Sequence, residues 1–330
     1  MRVFPNGFGF AILLGLAIGF ASFNPALVQQ WNLLGNGVLS QLIVILIFLL
    51  QGWKLDLKKL LKSLGNFDQT IRIQLGVLIC PCFAVLVGDF FGWFEDDWFD
   101  AFLFLAFLPT TISSSVVYTR NAGGDADFAL GQSTISNLIS PFIVSLVWIL
   151  LQEETLEVGK VEGGALAVMV LPKIIFLTMI PCFLGCLIQS KLKSFVLEKK
   201  VEGFLEVLPL FGIACLVLLS TGEVVSSIGG RKSLMILSHI FFPLCCLWFV
   251  LLAVVFVWSN LMMKGGFRRS EVVFCLSQKS LAMGVPMIQI LTSGSGKELA
   301  YWMIPILVFH LIQLVFGIPL IAWYEKNRNS

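Results

Sequence analysis

The residues best able to do chemistry lie in Phe274-Cys275-Leu276-Ser277-Gln278-Lys279-Ser280-Leu281-Ala282-Met283-Gly284-Val285-Pro286, inside an apolar run from Val272 to Leu291. An ammonium is costly inside a bilayer, so a lysine in the middle of such a run marks a functional site by default. Ser277, Gln278 and Ser280 flank Lys279, with Gly284 and Pro286 beyond, the composition of an interrupted helix whose freed backbone groups line a polar cavity. The plainer alternative is a lysine that snorkels along a helix wall. A matching segment, Leu108-Pro109-Thr110-Thr111-Ile112-Ser113-Ser114-Ser115-Val116-Val117-Tyr118, lies in an apolar run from Phe99 to Thr119, and Ser114 and Lys279 are 165 residues apart, half of the 330-residue chain. Two hydroxyl-rich, Pro/Gly-interrupted segments in corresponding positions of two halves point to the binding site of a transporter.

Two further polar sets fall in apolar surroundings. Ser133, Ser136, Asn137 and Ser140 recur at spacings of three and four, which places them on one helix face. That face either lines a site or glues helices together, each interhelical bond being worth about 0.6 kcal/mol. His310 and Gln313 stand one turn apart near the C-terminus. They are secondary candidates with Thr110 and Thr111, since a lone histidine on an apolar face is usually a satisfied packing residue.

The elements that must position these residues follow from composition. Hydrophobic residues make up 58% of the chain and charged residues 13%, against about 25% charged in soluble domains, and mean hydropathy is +0.92. This is an all-α polytopic membrane protein, with the lipid bilayer as its first partner. The net charge of +2 forms no basic stripe, so nucleic acid is not an expected partner, and neither Gly123-Gly124 nor Gly229-Gly230 belongs to a phosphate-loop pattern. The eight cysteines, including Cys80-Pro81-Cys82 and the pair Cys182 and Cys186, lie in apolar runs without accompanying histidines or carboxylates. They read as small buried hydrophobes, and no resident cofactor is expected.

Hydropathy windows predict ten spans, at about 7–23, 36–53, 70–91, 98–120, 127–151, 164–189, 204–222, 233–260, 271–292 and 299–324. The first, Phe8 to Phe20 at its core, reads as a retained helix rather than a cleaved signal. Sixteen of the twenty loop Lys and Arg residues fall on one side of this arrangement, which predicts cytoplasmic termini in a plasma membrane. Ten spans divide five and five, and an odd number per half inverts the second half. The expected organisation is therefore a single transporter unit over 1–330 with repeats at 1–151 and 152–330. Pro81 in the third span and Pro243 in the eighth give this pairing modest support.

The same residues carry a family resemblance. Val273 to Met287, followed by Ile304-Pro305-Ile306-Leu307-Val308-Phe309-His310-Leu311-Ile312-Gln313, resembles the bile acid:sodium symporter family, as does Leu108-Pro109-Thr110-Thr111 to Ser115 with Ala122-Gly123-Gly124. The resemblance covers nearly the whole chain. It implies ten helices in a panel domain and a core domain, with broken helices 4 and 9 crossing in the core. It places possible Na⁺ ligands at Ser114, Ser115, Ser133 and Gln278, while the family's shared glutamate falls at Phe274 and an asparagine at Lys279. An ammonium and Na⁺ 4 Å apart repel by about 4 kcal/mol at an effective dielectric of 20. The residues therefore suggest that Lys279 replaces the coupling cation.

The expected function is secondary active transport of a small organic anion by alternating access, coupled to Na⁺ as the resemblance implies or to H⁺ as the residues suggest. Ser113, Ser114, Ser115, Ser133, Asn137, Ser277, Gln278, Lys279 and Ser280 form the expected site. Two rivals stand beside it: an intramembrane hydrolase in which Lys279 activates a serine, and a regulatory ion-homeostasis protein without substrate flux. Sequence sets no oligomeric state. The charge asymmetry predicts that tags at either end are reached by membrane-impermeant reagents only from the cytoplasmic side; a C-terminal tag labelled from outside would overturn the ten-span arrangement.

Overall fold

A computed structural model of the chain describes residues 38–53, 67–95, 98–155, 172–192, 205, 208–209, 211–219, 230–262, 269–291 and 296–328. The first expected span, 7–23, lies outside the described residues, as do most of the expected loops. Among the described residues the structure is all-helical without named strands. Among the described residues five helices are long and apolar enough to cross a membrane: Phe67–Phe90, Ala126–Leu151, Pro172–Gln189, His239–Met262 and Tyr301–Asn327.

In chain order the helices are α1 (Val38–Trp53), α2 (Phe67–Phe90), α3 (Phe99–Phe107), α4 (Ile112–Asn121), α5 (Ala126–Thr155), a π-helical turn (Ile175–Met179) leading into α6 (Ile180–Leu192), α7 (Gly230–Met262), α8 (Ser270–Ser277), α9 (Leu281–Leu291) and α10 (Gly296–Arg328). The π turn ends just before Pro181, whose missing N–H frees an upstream carbonyl and lets the helix widen there. Helices α2, α5, α7 and α10 pack around the short helices α3, α4, α8 and α9, while α1 packs on α6 and reaches the others through α9.

The packing is inside-out relative to a soluble domain. On α2, Ile71, Leu75, Ile79, Phe83, Leu86 and Phe90 are exposed at steps of three or four residues, an outward apolar stripe suited to lipid. Buried against the other helices are Thr110, Gln132, Ser133, Ser136, Gln278, Lys279, Ser280, His310 and Gln313. Small residues let helices approach: a side chain at Gly185 would run into the main chain of α1 at Leu49, and one at Gly52 into that of α6 at Cys182.

Two interruptions decide the shape of the centre. Pro109 disfavours helical geometry at the residue before it, and Leu108 is extended at φ −62° and ψ 148°, so α3 stops. Thr111, still extended, precedes α4. The second stop falls at Gln278, with φ −99° and ψ 118°. Helix α9 then starts behind Ser280, whose Oγ accepts from the Met283 N–H at 3.3 Å, the arrangement of an N-cap. Gly284 and Pro286 lie within α9 rather than at its break. Gly284 admits the Leu108 side chain, which a Cβ would meet at 2.7 Å.

Candidate functional site

The interruptions lie against each other. The Thr111 N–H donates to the Gln278 carbonyl at 3.2 Å and the Ser280 N–H donates to the Pro109 carbonyl at 2.8 Å, an antiparallel bridge centred on Thr110 and Lys279. Each stop exposes main-chain groups that no water would meet in a bilayer, and the pairing satisfies both.

Thr110 ties two further helices, α5 and α8, to this junction. Its Oγ1 donates to the Cys275 carbonyl at 2.6 Å, its N–H donates to Ser136 Oγ at 3.2 Å, and its carbonyl accepts from Asn137 Nδ2 at 2.6 Å. Ser115 Oγ pairs with Ser133 Oγ at 2.9 Å and also donates to the Thr111 carbonyl. Ser114 Oγ donates to Gln278 Oε1 at 3.0 Å. The hydroxyl and amide face of α5 thus meets both interrupted segments.

Lys279 is 2% exposed. Its Nζ donates to the carbonyls of Val77 at 2.7 Å, Ala106 at 2.7 Å and Leu108 at 2.8 Å. Three acceptors match the three N–H bonds of an ammonium. Ala106 and Leu108 belong to the C-terminal end of α3, where carbonyls lack helical partners and the helix dipole is negative. The lysine thereby acts as a cap on α3 supplied from elsewhere in the chain. Lys173 does likewise for α9, donating to the Ile290 carbonyl at 3.0 Å.

Some expected site residues stand apart. Ser113 is exposed, its Oγ 3.4 Å from Thr111 Oγ1. Ser277 Oγ donates back to the Val273 carbonyl at 2.8 Å within α8. Among the described residues no serine hydroxyl is a partner of Lys279 Nζ, so the geometry there gives the Ser–Lys hydrolase reading no dyad. Phe274 is fully buried, edge-on to Tyr118 at 5.5 Å and 6.0 Å from the Tyr324 ring, which makes that position aromatic where the resemblance places a carboxylate. Among the described residues no cluster of histidines, cysteines and carboxylates could hold a metal ion.

Sequence reasoning missed several participants. Gln132 Nε2 donates to Thr70 Oγ1 at 2.9 Å, and Gln74 Nε2 to the Gln132 carbonyl at 3.0 Å. Both glutamines sit in apolar helices, the signal that singled out Lys279 in stronger form. Glu271 is buried and accepts from Arg269 Nε at 2.7 Å, while the Arg269 guanidinium also lies over the Phe128 ring. Val77, Ala106 and Leu108 contribute carbonyls, which no side-chain pattern marks.

Residues 9–326 match the SBF-like CPA transporter family. The chain belongs to that family. Its members are transporters rather than enzymes, so this is an integral, multi-pass membrane transporter acting on a small molecule. Among relatives, the chain is 27% identical over 337 residues to "Putative symporter YfeH" of Escherichia coli strain K12, covering 97% of this chain and 94% of the relative. It is 22% identical over 334 residues to "Sodium/bile acid cotransporter 7" of Rattus norvegicus, again covering 97% of this chain and 94% of the relative. The bile acid:sodium symporter resemblance carried by the two long motifs is thereby borne out.

Thr110 supplies the test of the junction. Thr110→Val keeps the branched shape and removes the bond to the Cys275 carbonyl, leaving a buried acceptor without that partner. Thermal unfolding of the purified protein is expected to show a loss of about 0.6 kcal/mol, the average for one hydrogen bond between membrane helices; an unchanged transition would show that the hydroxyl does not hold α8 to the first interruption.

Proposed function

We propose that this transporter moves a small organic anion by alternating access and that Lys279 is the charge on which coupling turns. The observation that supports this reading most is the buried Lys279 ammonium, held by three carbonyls where two helices stop. The first turns of α4 and α9 start from the same junction, and helix N-termini add partial positive charge. Such surroundings favour an anion as the species that completes the charge balance. A narrow cleft of about 40 Å³ shares Val77 and Pro109 with the junction and is lined further by Gln74, Phe107, Ser136 and Ser140. Its hydroxyls, its amide and its apolar walls are the lining that a small anion with an apolar body would meet once the cleft widens in the transport cycle.

In the proposed architecture there are ten spans in a five-plus-five inverted repeat, 1–151 and 152–330. Helices α3 and α4 form the broken fourth span and α8 and α9 the broken ninth, crossing in a core domain. Both termini face the cytoplasm and the membrane is the plasma membrane.

Coupling to H⁺ is the reading the residues favour. A neutral amine has two N–H bonds for three carbonyls, so loss of the proton would orphan an acceptor and loosen the junction, while protonation closes it. A second reading, coupling to Na⁺ as cargo, draws on the printed name of the Rattus norvegicus relative. Its ligands would be Ser114, Ser115, Ser133 and Gln278, an oxygen set with no carboxylate among it. The aromatic Phe274 and the neighbouring ammonium weigh against it.

Uptake into proteoliposomes across a library of organic anions, under separate Na⁺ and H⁺ gradients, tests this function. The wild type is expected to concentrate an anion under the H⁺ gradient. Lys279→Gln, which keeps bulk but neither charge nor proton, is expected to insert and lose that uptake. Lys279→Gln transport equal to wild type, with the same response to Na⁺ and pH, would overturn the role of the lysine, and no flux of any anion would favour the regulatory alternative.

A further inference from the structure

The main chain of Lys279 has its own partner, independent of the side chain. Gln313 Oε1 accepts from the Lys279 N–H at 2.6 Å, and Gln313 Nε2 donates to the Lys279 carbonyl at 2.7 Å. One side-chain amide thus does for this extended residue what a neighbouring strand would do, binding both polar atoms of its backbone. It holds them from α10, opposite the bridge that Thr110 makes.

A primary amide bound in this way cannot be reversed, because its nitrogen would then face the Lys279 N–H, donor against donor, and its oxygen the carbonyl. The direction of the amide in turn decides the state of His310. Its Nδ1 lies 2.8 Å from Gln313 Nε2, and an amide nitrogen donates but does not accept. Nδ1 must therefore be the acceptor, which leaves the ring neutral with its proton on Nε2. Turning the amide over would break both bonds to Lys279, and a proton on Nδ1 would set donor against donor. Both residues are buried, Gln313 fully and His310 to 6% exposure, so water offers no substitute for either bond.

We infer that His310 and Gln313 are a positioning pair: the imidazole anchors the second N–H of the Gln313 amide, and the amide so anchored holds the extended Lys279 backbone that carries the ammonium to its carbonyls. Neither residue needs to touch substrate for this role. The inference concerns where Lys279 is held, so it stands or falls separately from the proposed transport.

Two measurements on the full chain in liposomes test it. The chain holds two histidines, His239 and His310, so ¹⁵N-histidine labelling in a His239→Gln background isolates the His310 ring by solid-state NMR. The expected spectrum is a neutral imidazole protonated at Nε2 with a hydrogen-bonded, bare Nδ1. A proton on Nδ1, or a charged ring, overturns the inference. The second measurement is hydrogen exchange in a peptide spanning 278–281. His310→Asn places Oδ1 where Nδ1 stood and is expected to protect these amides as the wild type does, whereas His310→Leu, alike in shape but without an acceptor, is expected to exchange several-fold faster. Equal protection in all three proteins, or equal loss in both variants, overturns it as well. The NMR signature decides the question should His310→Leu fail to fold.

Discussion

Where a helix stops inside an apolar bundle, its free carbonyls and amides have no water to turn to, and in this chain two such stops lie against each other and satisfy one another. The bonds from Thr111 to Gln278 and from Ser280 to Pro109 use four main-chain groups. The carbonyls at the end of α3 remain, and Lys279 takes them. Its position follows from that need: the residue at the centre of the bridge is the one whose side chain can turn back onto α3. The hydroxyls of Thr110 and Ser115 and the amides of Asn137, Gln278 and Gln313 then close the remaining donors and acceptors around it.

This arrangement is well suited to switching. Single hydrogen bonds between membrane helices contribute little, about 0.6 kcal/mol each, so no one contact locks the bundle. A buried ammonium is different, because its charge is expensive wherever carbonyls do not surround it. Moving α3 relative to α2 would separate Val77 from Ala106 and Leu108 and break up the cage. A bound anion or a lost proton changes the cost of that separation, which is how a ligand shifts an equilibrium between two packings.

Much of the centre was legible in the sequence because it violated composition. Lys279 stood out as a charge in an apolar run, Pro109 marked a stop through its effect on Leu108, and Ser133 and Asn137 announced a polar face by their spacing. The second stop was less legible. Gly284 and Pro286 drew attention as breakers, yet they lie inside α9, and the chain extends instead at Gln278. There tertiary pairing with Pro109 and Thr111 decides the backbone, and no local propensity encodes it. The partners of Lys279 were out of reach for a related reason, since a carbonyl is the same at every residue. Sequence reading assigned the lysine to substrate, and the structure gives all three of its N–H bonds to backbone. Ser113 and Ser277 were named for their neighbours in sequence, but helix geometry turns one outward and bonds the other to its own helix.

The central claim is that the ammonium of Lys279 serves as a built-in cation around which the junction closes. Lys279→Ala removes it, and propylammonium carries the deleted methylenes and charge. The most direct test is thermal unfolding of both proteins with and without propylammonium chloride, using sodium chloride at equal ionic strength as the control. The account predicts that Lys279→Ala unfolds at a lower temperature than wild type and that propylammonium raises its transition while leaving the wild type unmoved. A variant that unfolds with the wild type, or one that propylammonium does not stabilise beyond its effect on wild type, would contradict it.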